Sequence, residues 1–174
     1  MCDPELAFSA DDCPPNCVVP YAPTLRSVTN LVIALCGIDC NDVVVDFGCG
    51  DGRVLIEAAR QKGCRGIGYD IRREMVTAST EAAERDECCR NRLIFRYADL
   101  LQPHFECPTD ATVAFMYLVP QVLRALRPKV ARMFAQGRLR TCCTYLYPMA
   151  VWVPAVDPKT LPFPLFLYRF DSVR

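Results

Sequence analysis

The chain has 174 residues, a length that suits one domain with a single hydrophobic core. Hydrophobic residues make up 52% of it and charged residues 23%, a composition that excludes a wholly disordered protein. Twenty basic side chains balance twenty acidic ones, so the chain has no net positive field to hold nucleic acid or an anionic membrane surface.

Targeting signals are not evident in the sequence. The longest uncharged stretch, residues 141–156, has 16 residues and contains two prolines, so it is too short and too interrupted to span a bilayer. The first 25 residues contain four acidic side chains and no basic one, unlike a signal or transit peptide. We therefore expect no membrane anchor and a cytoplasmic location, with nuclear and mitochondrial locations left open.

The hydrophobic pattern predicts a proline-rich arm over residues 1–22 and one domain over residues 23–174. Within the domain, helices and short apolar strands alternate. The predicted helices are 23–36, 53–62, 71–87 and 120–136, and the predicted strands are 43–45, 65–69, 93–97, 111–118, 139–147 and 165–170. Pro128 is expected to kink the last helix or to divide it in two.

This alternation predicts an α/β fold with a doubly wound, mainly parallel sheet between two layers of helices. Ligands bind such sheets outside the carboxyl ends of the strands, beside the first strand. The residues with distinctive chemistry follow strands on that edge, namely the turn 46–52, Asp70, Asp99 and Tyr117. We therefore expect the functional site there.

A glycine-rich turn, Gly48-x-Gly50-x-Gly52, follows the first predicted strand. Glycine has no Cβ atom, so a ligand can approach the backbone amides of such a turn closely. A dinucleotide-binding turn would need glycine at position 53, where the chain has Arg53, and the Gly-Lys-Ser/Thr of a P-loop is missing. The turn therefore favours a different kind of ligand.

Residues 43–53, VVVDFGCGDGR, resemble the first motif of the class I S-adenosylmethionine (SAM)-dependent methyltransferases. Asp70 after the second strand and Asp99 after the third match the acidic positions of that family. The resemblance implies a Rossmann-like fold and SAM as the cofactor. The cofactor-binding residues that it implies are Thr24, Asp46, Phe47, Gly48, Gly50, Gly52, Asp70, Ile71, Asp99 and Leu100.

The chemistry of SAM suits these acids, since it carries a cationic amino group, a ribose diol and an adenine but no phosphate. We expect Asp46 to face the amino group, Asp70 to accept hydrogen bonds from the ribose, and Asp99 to lie near the adenine. The alternatives are a structural Asp46 buried against turn amides and solvated carboxylates at Asp70 and Asp99. Asp51 is expected to be a helix N-cap.

Three further segments, 19–24 (VPYAPT), 117–121 (YLVPQ) and Trp152-x-Pro154, resemble the compact protein-lysine methyltransferases that act on the adenine nucleotide translocase and the ATP synthase c ring protein. The chain differs from them in its missing N-terminal anchor and in having Cys49 within the turn. The resemblance implies a protein lysine as the substrate and Tyr21, Tyr117 and Pro120 as catalytic residues. The tyrosines would line a dry slot that favours the neutral amine, and the carbonyls of residues 118–120 would accept from it.

Other interpretations stay open. Tyr117 is alternatively a packed aromatic residue and Tyr21 an exposed one. The substrate is alternatively RNA or a small molecule, and the domain alternatively a non-catalytic binding module, although net charge favours no stable binding of nucleic acid. Six basic residues without an intervening acid predict a local patch for an acidic segment or RNA, or else a solvated face: Arg124, Arg127, Lys129, Arg132, Arg138 and Arg140.

The chain contains twelve cysteines, and without a secretory signal they are expected to be reduced and mostly buried. Cys13, Cys17, His104 and Cys107 have the spacing of a Cys3His zinc site. Unrelated thiols are the preferred interpretation, because neither half shows a zinc-knuckle pattern. We predict no metal site.

Overall fold

A computed structural model describes residues 22–173 of the chain. The helices are α1 Arg26–Leu35, α2 Arg53–Lys62, α3 Arg73–Glu84 and α4 Pro120–Ala135. The strands are β1 Val43–Phe47, β2 Arg65–Asp70, β3 Leu93–Tyr97, β4 Val113–Met116, β5 Thr141–Tyr145 and β6 Leu165–Tyr168. The predicted arm lies outside the described residues except for Ala22. Among the helices of this range, none has the length and apolar character needed to cross a bilayer.

The six strands form one sheet in the order β3-β2-β1-β4-β5-β6. Every neighbouring pair is parallel except β5 and β6, which are antiparallel. The chain runs outward from β1 to β3 on one side and from β4 to β6 on the other, so the order reverses beside β1. This arrangement confirms the predicted doubly wound, mainly parallel α/β fold and places its ligand-binding edge at the carboxyl end of β1.

Side chains that alternate along β1 build two separate cores. Val44 packs into the core under α1 and α2, and Val45 and Phe47 pack into the core under α4. The whole of β1 is buried, as expected for a central parallel strand that helices cover on both faces. On the α4 side, the Trp152 ring packs edge-on against Tyr168 with centroids 5.4 Å apart. The sheet and its two helical layers give the predicted three-layer architecture.

Some predicted boundaries differ from the structure. Helix α4 is a single 16-residue helix that continues through Pro128, so the predicted division at this residue is wrong. Pro128 is exposed, and the carbonyl that loses a helical partner there can be hydrated. Helix α3 begins at Arg73 rather than Ile71, because Arg72 is extended and its amide donates to the Asp70 carboxylate at 2.9 Å.

An ion pair joins the opposite, amino-terminal edge of the sheet. Asp42, just before β1, accepts hydrogen bonds from Arg140 Nη2 at 2.6 Å and from the Thr112 hydroxyl at 2.6 Å. Arg140, just before β5, also donates to the Cys36 carbonyl at the end of α1 at 2.6 Å. These contacts fasten one helix to three strands and leave the carboxyl edge free for other uses.

Candidate functional site

A cavity of about 390 Å³ opens at the carboxyl edge of the sheet, beside β1. Its walls come from the segments that follow the first five strands and from residues 22–24, just before α1. This volume is in the range that holds a small organic ligand. The cavity lies where the strand order predicts the site.

The backbone amides of the glycine turn are committed to protein acceptors. Gly48 and Cys49 donate to the Tyr69 carbonyl at 2.8 and 2.9 Å, and Gly50 donates to Asp70 Oδ2 at 2.9 Å. A phosphate-binding turn needs free amides that point at the ligand. The structure therefore corrects the expectation that a ligand approaches these amides, and it argues against a nucleotide phosphate here.

Packing explains two of the glycines. Gly48 has φ +83°, and a Cβ atom there would lie 2.6 Å from Leu118 Cδ2. Gly52 has φ +77°, and a Cβ atom there would lie 2.7 Å from Phe95 Cζ. Both the backbone conformation and the closeness of these neighbours require glycine. The turn is thus shaped by the strands and helices around it.

Asp70, at the end of β2, is a buried carboxylate held from two sides. Its Oδ2 accepts from the Gly50 amide and its Oδ1 from the Arg72 amide, each at 2.9 Å, and Arg72 Nε lies 3.5 Å from Oδ1. A carboxylate oxygen can accept a second hydrogen bond. Asp70 also lines the cavity, so it is an oriented acceptor rather than the solvated terminus of the alternative interpretation.

Asp46 is a buried carboxylate that also lines the cavity, with 2% of its surface exposed. Burial raises its pKa well above the ordinary value, and the nearby Asp70 and Asp51 raise this pKa further. Within residues 22–173 its carboxylate accepts no hydrogen bond, so the alternative of burial against turn amides is not what the structure shows. A buried carboxylate without a donor favours a cationic group in the cavity.

Asp99 begins the loop after β3 and lines the cavity with Leu100. Its two oxygens accept from the Leu101 amide and from Gln102 Nε2, both at 2.9 Å. Lys129 of α4 fixes the same loop by donating to the Gln102 carbonyl at 3.0 Å. Asp99 therefore shapes this wall of the cavity at the same time as it adds negative charge.

Three tyrosines gather at the other end of the cavity. The rings of Tyr117, after β4, and Tyr145, at the end of β5, have centroids 4.7 Å apart, and Tyr147 lines the cavity with Tyr117. Burial raises the pKa of Tyr117, and Tyr145 and Tyr147 raise it further, so its phenol stays protonated at neutral pH. Sequence reasoning found Tyr117 and missed the other two, although they end the predicted strand 139–147 on the same edge.

Most of the predicted site residues line the cavity: Thr24, Asp46, Gly48, Gly50, Asp70, Ile71, Asp99, Leu100 and Tyr117. Three others do not. Phe47 is fully buried and stacks on Tyr69, Gly52 packs against Phe95, and Pro120 is exposed in the first turn of α4. Tyr21 lies outside the described residues.

The backbone carbonyls of residues 118–120 differ in availability. The Val119 carbonyl accepts from the amides of Val122 and Leu123 at 3.0 and 3.1 Å, and Pro120 begins α4. The Leu118 carbonyl accepts no hydrogen bond from the described part of the chain. The expectation of three available carbonyls is therefore corrected to one.

Asp51 is not the N-cap of α2, because Gly52 occupies that position. The Asp51 carboxylate pairs with Arg53 instead, with Nη2 and Oδ2 2.6 Å apart, and it accepts from the Arg53 amide at 3.2 Å. Arg53 also donates to the Thr24 carbonyl at 3.4 Å. This pair therefore connects residues 22–24 to the glycine turn.

The basic residues of the predicted patch largely hold loops in place. Lys129, Arg127 and Arg138 donate to backbone carbonyls of Gln102, Ala150 and Thr109, and Arg140 pairs with Asp42. These four side chains are therefore less available to an acidic partner than their sequence suggests.

The predicted zinc alternative falls partly outside the described residues, since Cys13 and Cys17 precede them. His104 is exposed and Cys107 is half-buried. Within residues 22–173, no three histidine, cysteine or acidic side chains are grouped so as to hold a metal ion.

The cavity thus combines three carboxylates, Asp46, Asp70 and Asp99, with a turn whose amides are occupied. Polyphosphate would be repelled by the acids and would find no free amides in the turn to bind it. A ligand with a positive charge and vicinal hydroxyls suits the same groups. These residues fit SAM, which has both features and no phosphate.

Comparisons with solved structures agree with this chemistry. An RNA methyltransferase from Salinibacter ruber, crystallised with S-adenosyl-L-homocysteine, superposes with a TM-score of 0.71 and 29% identity over 86% of this chain and 94% of its own. A SAM-dependent methyltransferase from Geobacter sulfurreducens, also with S-adenosyl-L-homocysteine, gives a TM-score of 0.55 at 23% identity over 70% and 47%, which supports the fold alone. The fold and the cavity define a class I SAM-dependent methyltransferase.

Residues 46–156 match the family of the ANTKMT methyltransferase domain, and the chain belongs to this family. It is 30% identical over 121 residues to a protein-lysine N-methyltransferase of Saccharolobus islandicus, covering 68% of this chain and 72% of that protein. It is 29% identical over 137 residues to a Xenopus laevis lysine N-methyltransferase named for the C protein of ATP synthase, covering 78% of this chain and 57% of the frog protein. The chain therefore spans little more than half of that relative.

Proposed function

We propose that the protein transfers a methyl group from SAM to the side-chain amine of a lysine in a protein substrate. The archaeal and frog relatives are named for lysine methylation, which supports this substrate class. The observation that carries the proposal is the division of one cavity into an acidic end and an aromatic end. The acids follow β1 to β3, and the tyrosines follow β4 and β5.

At the acidic end, each carboxylate has a distinct task. Asp70 accepts hydrogen bonds from the ribose hydroxyls, because both of its oxygens are already oriented by backbone amides. Asp46 balances the cationic amino group of the methionine part and thereby gains the partner that it lacks among the described residues. Ile71 and Leu100 provide apolar walls for the adenine, beside Asp99. When bound, SAM supplies an electrophilic methyl carbon on a sulfonium.

At the aromatic end, the chain selects a neutral amine. A half-buried aromatic slot disfavours the ammonium form of lysine, so the amine reaches its reactive lone pair more easily. The Leu118 carbonyl, which has no donor among the described residues, accepts an N–H of the amine and orients the lone pair toward the cofactor. Tyr117 keeps its own proton and does not act as a base. The acceleration comes mainly from alignment and from exclusion of water.

RNA is the second candidate substrate, because the Salinibacter ruber neighbour is an RNA methyltransferase at 29% identity. The balance of twenty basic and twenty acidic residues gives the chain no general attraction to RNA. Four of the six clustered basic residues are also engaged within the protein. These observations favour a protein substrate.

The experiment that tests this proposal is incubation of the full chain with cell extract and methyl-labelled SAM, with and without RNase. We expect label in a protein band that survives RNase and yields methyl-lysine on hydrolysis. The Asp70→Asn variant should lose the label, and Asp110→Asn, which removes an exposed carboxylate, should keep it. Label confined to nucleic acid would overturn the lysine assignment.

A further inference from the structure

The turn after β5 is held in an unusual conformation. Leu146 has φ +66°, a left-handed conformation that residues with a Cβ atom rarely adopt and that costs free energy. Two hydrogen bonds keep the turn in place: the Leu146 amide donates to the Pro164 carbonyl at 2.9 Å, and the Thr144 hydroxyl donates to the Tyr147 carbonyl at 2.6 Å. The turn is therefore fixed before any ligand binds.

This conformation places two consecutive apolar side chains in the cavity wall. Leu146 and Tyr147 both line the cavity, yet they are 38% and 39% exposed. In an extended strand, successive side chains point to opposite faces, so the left-handed residue is what lets both contribute to one wall. Tyr147 therefore forms the outer, solvent-facing part of the aromatic end, and Tyr117 forms the half-buried inner part.

The sheet order separates this end from the acids. With the order β3-β2-β1-β4-β5, the loops that carry Asp99, Asp70 and Asp46 lie on one half of the edge, and the tyrosines lie on the other. A carboxylate beside the acceptor would hold the amine in its unreactive ammonium form. An aromatic face attracts an amine and its methylated cation without doing so to the same degree.

We propose that Tyr147 is a specificity-determining residue whose ring forms the outer wall of the acceptor slot and contacts the substrate amine and its alkyl chain. This inference rests on the proposed function, because it requires that an amine enters the cavity. The left-handed turn at Leu146 is the device that holds the ring in this place. The cofactor is bound at the other end and does not depend on Tyr147.

A pair of synthetic probes tests the inference by binding alone. Both are SAM analogues in which nitrogen replaces the sulfonium. One carries a plain ethyl arm, and the other carries a 2-(butylamino)ethyl arm whose amine and alkyl chain imitate the lysine side chain. The ratio of their two dissociation constants, measured by isothermal titration calorimetry, reports the contribution of the acceptor slot.

For the wild type we expect the amine-armed probe to bind about 10-fold more tightly than the ethyl-armed probe. In Tyr147→Ala this preference should fall by about 3- to 30-fold, the range of a cation–aromatic contact, with unchanged affinity for the ethyl-armed probe. Tyr147→Phe keeps the ring and should keep most of the preference. Val153→Ala, which shortens an exposed side chain a few residues on, is the matched control and should behave as the wild type.

The outcomes separate the two proposals. If the wild type shows no preference for the amine arm, the amine substrate of the proposed function fails. If the wild type shows it and Tyr147→Ala retains it, the proposed function stands and the role of Tyr147 is overturned. If Tyr147→Ala loses the ethyl-armed probe as well, Tyr147 supports the cofactor half of the cavity and the inference is likewise wrong.

Discussion

Asp70 Oδ2 accepts a hydrogen bond from the Gly50 amide at 2.9 Å, so the end of β2 holds the glycine turn that leaves β1. The other oxygen of the same carboxylate fixes the start of α3 through the Arg72 amide. One buried side chain thus orders two of the cavity walls and is itself oriented by them. This relationship prepares the carboxylate for the ribose before the cofactor arrives.

Replacing Asp70 by Asn removes the charge with little change in size. We expect the dissociation constant for SAM to rise by about 10- to 150-fold, the equivalent of about 1.5 to 3 kcal/mol for hydrogen bonds to a charged group. Isothermal titration calorimetry measures it. Asp110→Asn, which removes an exposed carboxylate 3.9 Å from Arg65, should leave the affinity unchanged. Equal affinities for Asp70→Asn and wild type would place the ribose elsewhere.

Asp46→Asn should stabilise the protein without cofactor. Because burial and neighbouring acids raise its pKa above 3.8, the folded chain binds this proton more tightly than the unfolded chain. Its contribution to stability is therefore greatest below pH 4 and is lost as pH rises through the folded pKa. The variant should unfold at a higher temperature than the wild type at pH 8, by about 2 to 4 °C per kcal/mol relieved, with a smaller difference toward pH 4. A difference that does not vary with pH would contradict this account.

SAM binding should also release protons from Asp46. The cationic amino group of SAM lowers the pKa of the carboxylate that it contacts, so a proton leaves on binding at pH values below the pKa of the free protein. Calorimetric titrations in two buffers with different ionisation enthalpies measure this release. Asp46→Asn should release fewer protons and bind SAM more weakly. Identical heats in both buffers for the wild type would separate the amino group from Asp46.

The resemblance to methyltransferases predicted the acidic end of the cavity well. The run Val43-Val44-Val45 identified a central strand, and Asp70 and Asp99 followed the next two strands, so the topology of a parallel sheet was enough to bring them together. The aromatic end was harder. Tyr147 reaches the cavity because of the left-handed backbone at Leu146, and no sequence rule assigns that conformation to leucine.

The use of the turn amides was also beyond the sequence. Glycines alone do not tell whether a turn faces a ligand or packs against the protein, and here Leu118 and Phe95 occupy the space that Cβ atoms would need. The continuity of α4 through Pro128 has a similar cause. Exposure of Pro128 lets solvent satisfy the freed carbonyl, and burial of that face would have made a break more favourable.

Gly48→Ala should be considerably more destabilising than an alanine at a glycine of similar backbone conformation. Gly37 has φ +59°, and a Cβ atom there would meet no atom within 4 Å, so Gly37→Ala should cost about 1 to 2 kcal/mol for the left-handed backbone alone. Gly48→Ala adds the collision with Leu118 and should cost about 1 to 3 kcal/mol more. Urea unfolding measures both. Equal costs would mean that Leu118 moves away freely.

Arg140→Ala should weaken the fold and leave the cofactor site intact. Burial raises the pKa of Asp42, but hydrogen bonds from Arg140 and Thr112 outweigh it, so the pKa is lowered overall. The stability from this pair is present above about pH 4 and is lost as pH falls through the lowered pKa. At pH 7 we expect a loss of about 1 to 3 kcal/mol in urea unfolding, because Arg140 is partly exposed.

The control for Arg140→Ala is Arg124→Ala on the exposed face of α4, which should unfold as the wild type does. Both variants should bind SAM with wild-type affinity, since Asp42 and Arg140 lie at the amino-terminal edge of the sheet. A large loss of SAM affinity in Arg140→Ala would show that the two edges are coupled.

A crystal structure of the protein with S-adenosylhomocysteine tests the central claim most directly. The account predicts that both ribose hydroxyls lie within hydrogen-bonding distance, about 3 Å, of the Asp70 carboxylate, with the amino group at Asp46 and the sulfur facing Tyr117. A ribose bound away from Asp70, or a sulfur that faces away from the tyrosines, would contradict it.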